Sequence, residues 1–67
     1  MKTTMVKKSG GIGCLSARDV PEDKVLWLCR TALSKALWIA SWTNDKGVRL
    51  VTVSGKWDEI EDLYAQA

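Results

Sequence analysis

The chain has no histidine, no phenylalanine, one proline and only two cysteines in its 67 residues. Each shortage removes a class of explanation. Without histidine the commonest general base is gone, and acid–base chemistry would fall to carboxylates, lysine or tyrosine in a pocket that so short a chain can hardly build. A closed zinc site needs about four ligands, mainly Cys and His, which Cys14 and Cys29 cannot supply. No apolar run approaches the roughly 18 residues of a membrane span. No apolar signal segment follows the charged N-terminus, so a cytoplasmic location and reduced thiols are the expectation. No catalytic residue, cofactor or metal is assigned, and the chain reads as a binding protein rather than an enzyme.

What is present describes a folded domain. Apolar residues make up 46% of the chain and charged residues 27%, proportions ordinary for globular proteins. A core this small supplies only about 3–5 kcal/mol, which leaves self-association, for instance as a homodimer, as the remaining means of support. The net charge of +2 is too small to imply nucleic acid by itself. Its distribution is uneven, however: Lys2, Lys7, Lys8 and Arg18 occupy the first 18 residues without an acid, whereas Asp58, Glu59, Glu61 and Asp62 crowd the C-terminal end.

Residues 1–20 read as a basic N-terminal arm or edge strand, with Thr3–Val6 extended and Ser9–Gly13 irregular. Residues 21–67 read as a helix–hairpin–helix core of the same single domain. Pro21, Glu22 and Asp23 mark a helix start. At about 100° per residue, Val25, Leu26, Cys29, Ala32, Leu33 and Ala36 share one stripe, opposite Lys24, Thr31 and Lys35. Leu37–Thr43 could prolong that helix, but the cluster Asn44-Asp45-Lys46-Gly47 is a hairpin turn and demands strands on both sides. The helix should therefore end near Lys35, with strands over 37–43 and 48–53. Ser54 then reads as an N-cap, Gly55 as a chain reversal, and Trp57, Ile60, Leu63 and Tyr64 as the apolar face of a second helix. The expected fold class is α+β, a small two-layer domain.

Possible chemistry is sparse. Cys29 lies in the apolar stripe and reads as a small buried hydrophobe, while Cys14 has no activating neighbour. Lys7-Lys8-Ser9-Gly10-Gly11-Ile12-Gly13 suggests a phosphate cradle, but it lacks the Lys after the last glycine of a P-loop and the spacing of a dinucleotide fingerprint. The unusual feature is four tryptophans in so short a chain. Trp57 belongs to a helix core face. Trp38 and Trp42, with Ala40, alternate onto one face of the predicted strand, and Trp27 stands outside the main stripe of the first helix, either packed under the hairpin or exposed. Trp27, Trp38 and Trp42 are thus the candidate protein-binding surface, with Asp58, Glu59, Glu61 and Asp62 as a second one. Tryptophans on a sheet can also stack unpaired bases, although residues 36–44 contain no Arg or Lys to accompany them.

The leading expectation is a non-enzymatic protein-interaction module, an adaptor or stoichiometric inhibitor, whose partner is a protein and not a membrane. The alternative is nucleic-acid binding through Lys2, Lys7, Lys8 and Arg18, with Arg49. From Arg30 through Tyr64 the order helix, hairpin, helix resembles the small head-tail joining proteins of tailed phages, a likeness that implies a structural role in a phage particle.

Overall fold

The computed structural model describes residues 1–67. Its elements are β1 (Lys2–Lys7), a 3-10 turn (Ser9–Gly11), β2 (Ile12–Arg18), α1 (Glu22–Ser34), β3 (Trp38–Thr43), β4 (Arg49–Lys56) and α2 (Trp57–Gln66). The four strands form one antiparallel sheet in the order β1-β2-β4-β3. Both helices pack against the same face of that sheet, and the opposite face is bare. The fold is α+β, and from residue 21 onward the order of helix, hairpin and helix follows the sequence expectation.

The first twenty residues depart from it. β1 is the edge strand expected as one of two alternatives, but Ile12–Arg18, expected irregular in part, form a second strand, and β2 lies in the interior of the sheet between β1 and β4. Period-two alternation is present in β2: Gly13, Leu15 and Ala17 are buried, while Cys14 and Ser16 are half-buried on the other face. The pattern is carried by small residues, so hydropathy barely registers it. Gly10 and Gly11 at φ +74° make the reversal between β1 and β2, a region glycine enters without the steric cost other residues meet.

α1 starts after Pro21 with Glu22 and Asp23 in its first turn, where carboxylates meet the positive end of the helix dipole. It buries Val25, Leu28 and Ala32. The expected stripe was rotated: Leu28 is fully buried, whereas Leu26 and Leu33 are 57% and 77% exposed. Two apolar lines run along this helix, and packing on the sheet chose the one through Leu28. The helix closes in a Schellman motif, with Leu37 N–H donating to Ala32 O at 2.8 Å and Ala36 N–H to Leu33 O at 3.3 Å. Ala36 occupies the left-handed position at φ +55°.

The β3–β4 hairpin turns on Asn44. Its Oδ1 accepts the N–H groups of Lys46 and Val48, each at 2.9 Å, and Gly47 stands at φ +79°. β4 runs to Lys56, three residues past the expected strand end. Ser54 and Gly55 are strand residues paired with Cys14 and Gly13, because the unforeseen β2 continues the ladder alongside them. α2 follows without a break, with Lys56 at its N-cap position and no side-chain cap. Ile60 and Leu63 complete a core that also holds Leu15, Ala17, Val20, Val51 and Val53. Tyr64, expected on that face, is 40% exposed.

Candidate functional site: the bare face of the sheet

Antiparallel register fixes which side chains share the uncovered face. The pairs Lys2↔Arg18, Thr4↔Ser16 and Val6↔Cys14 extend through Arg18↔Leu50, Ser16↔Thr52 and Cys14↔Ser54 to Trp42, Ala40 and Trp38 on β3. Because alternate residues point to opposite sides, these rows stand together, facing away from the helices. One row reads Lys2, Arg18, Leu50, Trp42. The next is a band of hydroxyls, Thr4, Ser16 and Thr52, ending at Ala40. The third reads Val6, Cys14, Ser54, Trp38, with the Ser54 hydroxyl 3.6 Å from Cys14 Sγ.

Trp38 is 64% exposed and Trp42 45%. A concavity of about 410 Å³ lies between β3 and β1, lined among others by Lys2, Thr4, Arg18, Trp42, Leu50 and Thr52. It brings two cations, an indole and a row of hydroxyls to one surface. No strand contains a carboxylate: the strands carry Lys2, Lys7, Arg18, Arg49 and Lys56, whereas every Asp and Glu lies in a helix or a connection. The molecule is therefore polarised in space, with a cationic sheet beneath an acid-bearing helical layer.

The residues singled out in the sequence are distributed unevenly over this arrangement. Trp38 and Trp42 are together on the bare face. Trp27 is not with them: it sits in the helical layer, packed against the core, with Lys24 Nζ 4.9 Å from its ring centroid. Asp58, Glu59, Glu61 and Asp62 lie on α2, also in the helical layer. Glu59 and Asp62 are engaged by Lys35 Nζ at 3.0 and 3.7 Å, which ties the end of α1 to α2. The hydrogen bond and charge of Glu59, aided by Asp62, raise the Lys35 pKa above its ordinary value.

Among the cations of the N-terminal half, Lys2 and Arg18 are register partners on the bare face. Lys7 is at the far end of β1 with its Nζ 5.5 Å from the Trp57 ring centroid, beside a second concavity of about 370 Å³ that Lys56, Gly10 and Gly11 also line. Lys8 is exposed in the reversal between β1 and β2. Arg49 faces the other way. Its Nε lies 3.8 Å from Glu22 and its guanidinium donates to Thr43 Oγ1 at 3.3 Å. Cys14 on the bare face and Cys29 on α1 are on opposite sides of the sheet, and both are free thiols.

Sequence reading missed Thr4, Ser16 and Thr52 as members of this surface, and also Lys56, which pairs with Ile12 one row beyond Cys14 and Ser54. Along the chain no Arg or Lys within residues 36–44 accompanies the tryptophans, which weakens base stacking as a sequence expectation. On a sheet the relevant neighbours come from other strands, and Arg18 reaches the Trp42 row through β4. No protein-family model, curated protein or solved structure matches the chain.

Proposed function

We propose that the protein binds single-stranded nucleic acid on the bare face of its sheet. The observation that carries this is the acid-free face on which Trp42 shares a row with Lys2 and Arg18 while Trp38 stands exposed two rows away. Exposed indoles offer flat stacking surfaces to unpaired bases, and cations beside them meet the backbone phosphates. The hydroxyl band between offers donors and acceptors to base edges or sugars. A duplex would suit the face poorly, since its bases are already stacked and cannot reach the indoles.

The test is a tryptophan-fluorescence titration with oligothymidylate and oligouridylate of about 20 nucleotides, longer than the roughly 4–16 nucleotides that known single-strand-binding domains occupy. Quenching at low salt is expected, with affinity falling as salt rises. Contacts from Lys2, Arg18 and Lys56 would give a log–log slope of about −2, at about −0.7 per phosphate on a single strand. No quenching at about 50 mM salt, where such contacts are strong, removes the reading.

A protein partner is the second reading, supported by the exposure of Leu26 and Leu33 one above the other on α1. Such an adaptor or inhibitor would dock through the helical layer and would bind with little dependence on the sheet tryptophans. Alanine at Leu33 would then weaken capture of that partner, and unaltered capture would remove this alternative. The phage head-tail likeness concerns element order alone and adds no residue to either surface.

A further inference from the structure

We infer that β3 is a self-pairing edge, through which two copies of the chain join their sheets into one. The inference is independent of nucleic-acid binding.

The outward groups of β3 follow from the ladder. Asn44 N–H donates to Val48 O, so 44 and 48 form a hydrogen-bonded pair, and alternation makes Trp42↔Leu50, Ala40↔Thr52 and Trp38↔Ser54 hydrogen-bonded as well. The N–H and C=O groups of Ile39, Ser41 and Thr43 consequently point away from β4. β3 is the last strand of the sheet, and none of the turn, loop or cap hydrogen bonds involves those three residues. The two edges of the sheet are treated differently. β1 carries a lysine at each end, Lys2 and Lys7, a charge pattern that resists strand addition. β3, Trp-Ile-Ala-Ser-Trp-Thr, has neither charge nor proline.

The occupant is specified by the strand's own symmetry. Read antiparallel about Ala40, the segment Trp38-Ile39-Ala40-Ser41-Trp42 is complementary to itself. Ile39 and the partner's Ser41 exchange N–H···O=C bonds, as Ser41 does with the partner's Ile39. Ala40 then meets the partner's Ala40, and Trp38 meets the partner's Trp42 in non-hydrogen-bonded positions, where side chains approach most closely. An uncharged strand meets its copy without like-charge repulsion. The edge-joined pair keeps both bare faces on one side, with the tryptophans of both copies adjacent at its centre. The contact is narrow, so the association is reversible and concentration-dependent.

Two measurements on the full chain test this. Sedimentation equilibrium from about 1 µM to about 1 mM, spanning the affinities of small transient interfaces, is expected to show mass rising from 7.4 kDa toward twice that value. Ala40→Cys places two thiols across the axis at a Cα separation of about 4.5 Å, within disulfide range. It is expected to oxidise to a covalent dimer at least tenfold faster than the native chain, whose Cys14 and Cys29 set the background. A monomer at every concentration overturns the proposal, and so does cross-linking of Ala40→Cys no faster than that background. A monomer that still quenches with oligothymidylate would overturn the edge pairing alone; a dimer that does not quench would overturn the nucleic-acid reading alone.

Discussion

Gly13 and Gly55 face each other across β2 and β4, and the notch they leave is filled from the helical layer. A Cβ on Gly13 would lie 2.6 Å from Trp57 Cε3 and 3.3 Å from Ile60, while one on Gly55 would collide with the Leu37 side chain. The pair lets α2 leave β4 without a connecting loop and settle directly on β2, and it gives Leu37, just past α1, its seat on the sheet.

Gly13→Ala is therefore expected to destabilise the fold by about 1–3 kcal/mol, the usual cost of overpacking, despite the gain alanine brings to a strand. Because the nearest atom belongs to a large ring fixed at the start of α2, Trp57 must move. Urea unfolding should show a lower midpoint with an unchanged slope, and the native-state emission of Trp57 should shift. A variant as stable as the native chain would mean that α2 does not approach β2 this closely.

The same glycines explain what the sequence disclosed and what it hid. α1 was legible because Pro21, Glu22 and Asp23 announce its start, and β3–β4 because Asn44 to Gly47 can be little other than a hairpin turn. β2 was hidden: Gly13 and Ala17 occupy core positions with almost no apolar side chain, and nothing local shows that Trp57 and α2 will cover Gly13. Once β2 is missed, Ser54 and Gly55 look like a cap and a reversal. The site suffered in the same way. Trp38 and Trp42 could be placed on one face from alternation alone, but Lys2 and Arg18 reach that face only through cross-strand register. The apolar line of α1 was ambiguous for a further reason, since Leu26 and Leu33 have the same helical spacing as the residues that are buried.

Ala36 stands at φ +55° in the Schellman position that glycine usually fills. An L-residue there costs about 1–2 kcal/mol, part of which glycine would give back through its greater freedom when unfolded. Ala36→Gly is expected to stabilise the protein by about 0.5–1 kcal/mol, seen as a higher urea midpoint. Ala36→Val should do the opposite, since a β-branched residue tolerates that region worst.

Lys35 links α1 to Glu59 and Asp62 on α2, and its pKa is raised by that contact. A lysine whose folded pKa exceeds its unfolded one stabilises the fold fully below the unfolded value, and the contribution is lost as pH climbs through the folded value. The stability difference between the native chain and Lys35→Met should accordingly be constant at neutral pH and vanish only in the alkaline range above lysine's ordinary 10.5. Added salt should shrink it at neutral pH, because the pair is partly open to solvent. A difference that persists beyond the alkaline transition would assign Lys35 a packing role instead.

The last prediction separates the two layers. Trp42 shares a row with Arg18 and Lys2 on the bare face, whereas Trp27 lies in the helical layer beneath Lys24. Removing a stacking indole typically costs about 1–3 kcal/mol per base, or roughly ten- to a hundredfold in affinity. Trp42→Ala is expected to weaken oligothymidylate binding by that factor with little change in unfolding midpoint, because the ring is already half in water. Trp27→Ala should lower the midpoint, since Trp27 packs on the core, and leave affinity intact once measured on the folded fraction. Arg18→Gln supplies the electrostatic counterpart: it should make the salt dependence shallower by about 0.7, one phosphate contact. If Trp27→Ala and Trp42→Ala weaken binding equally, the ligand is not held on the bare face of the sheet, and the helical layer becomes the surface to pursue.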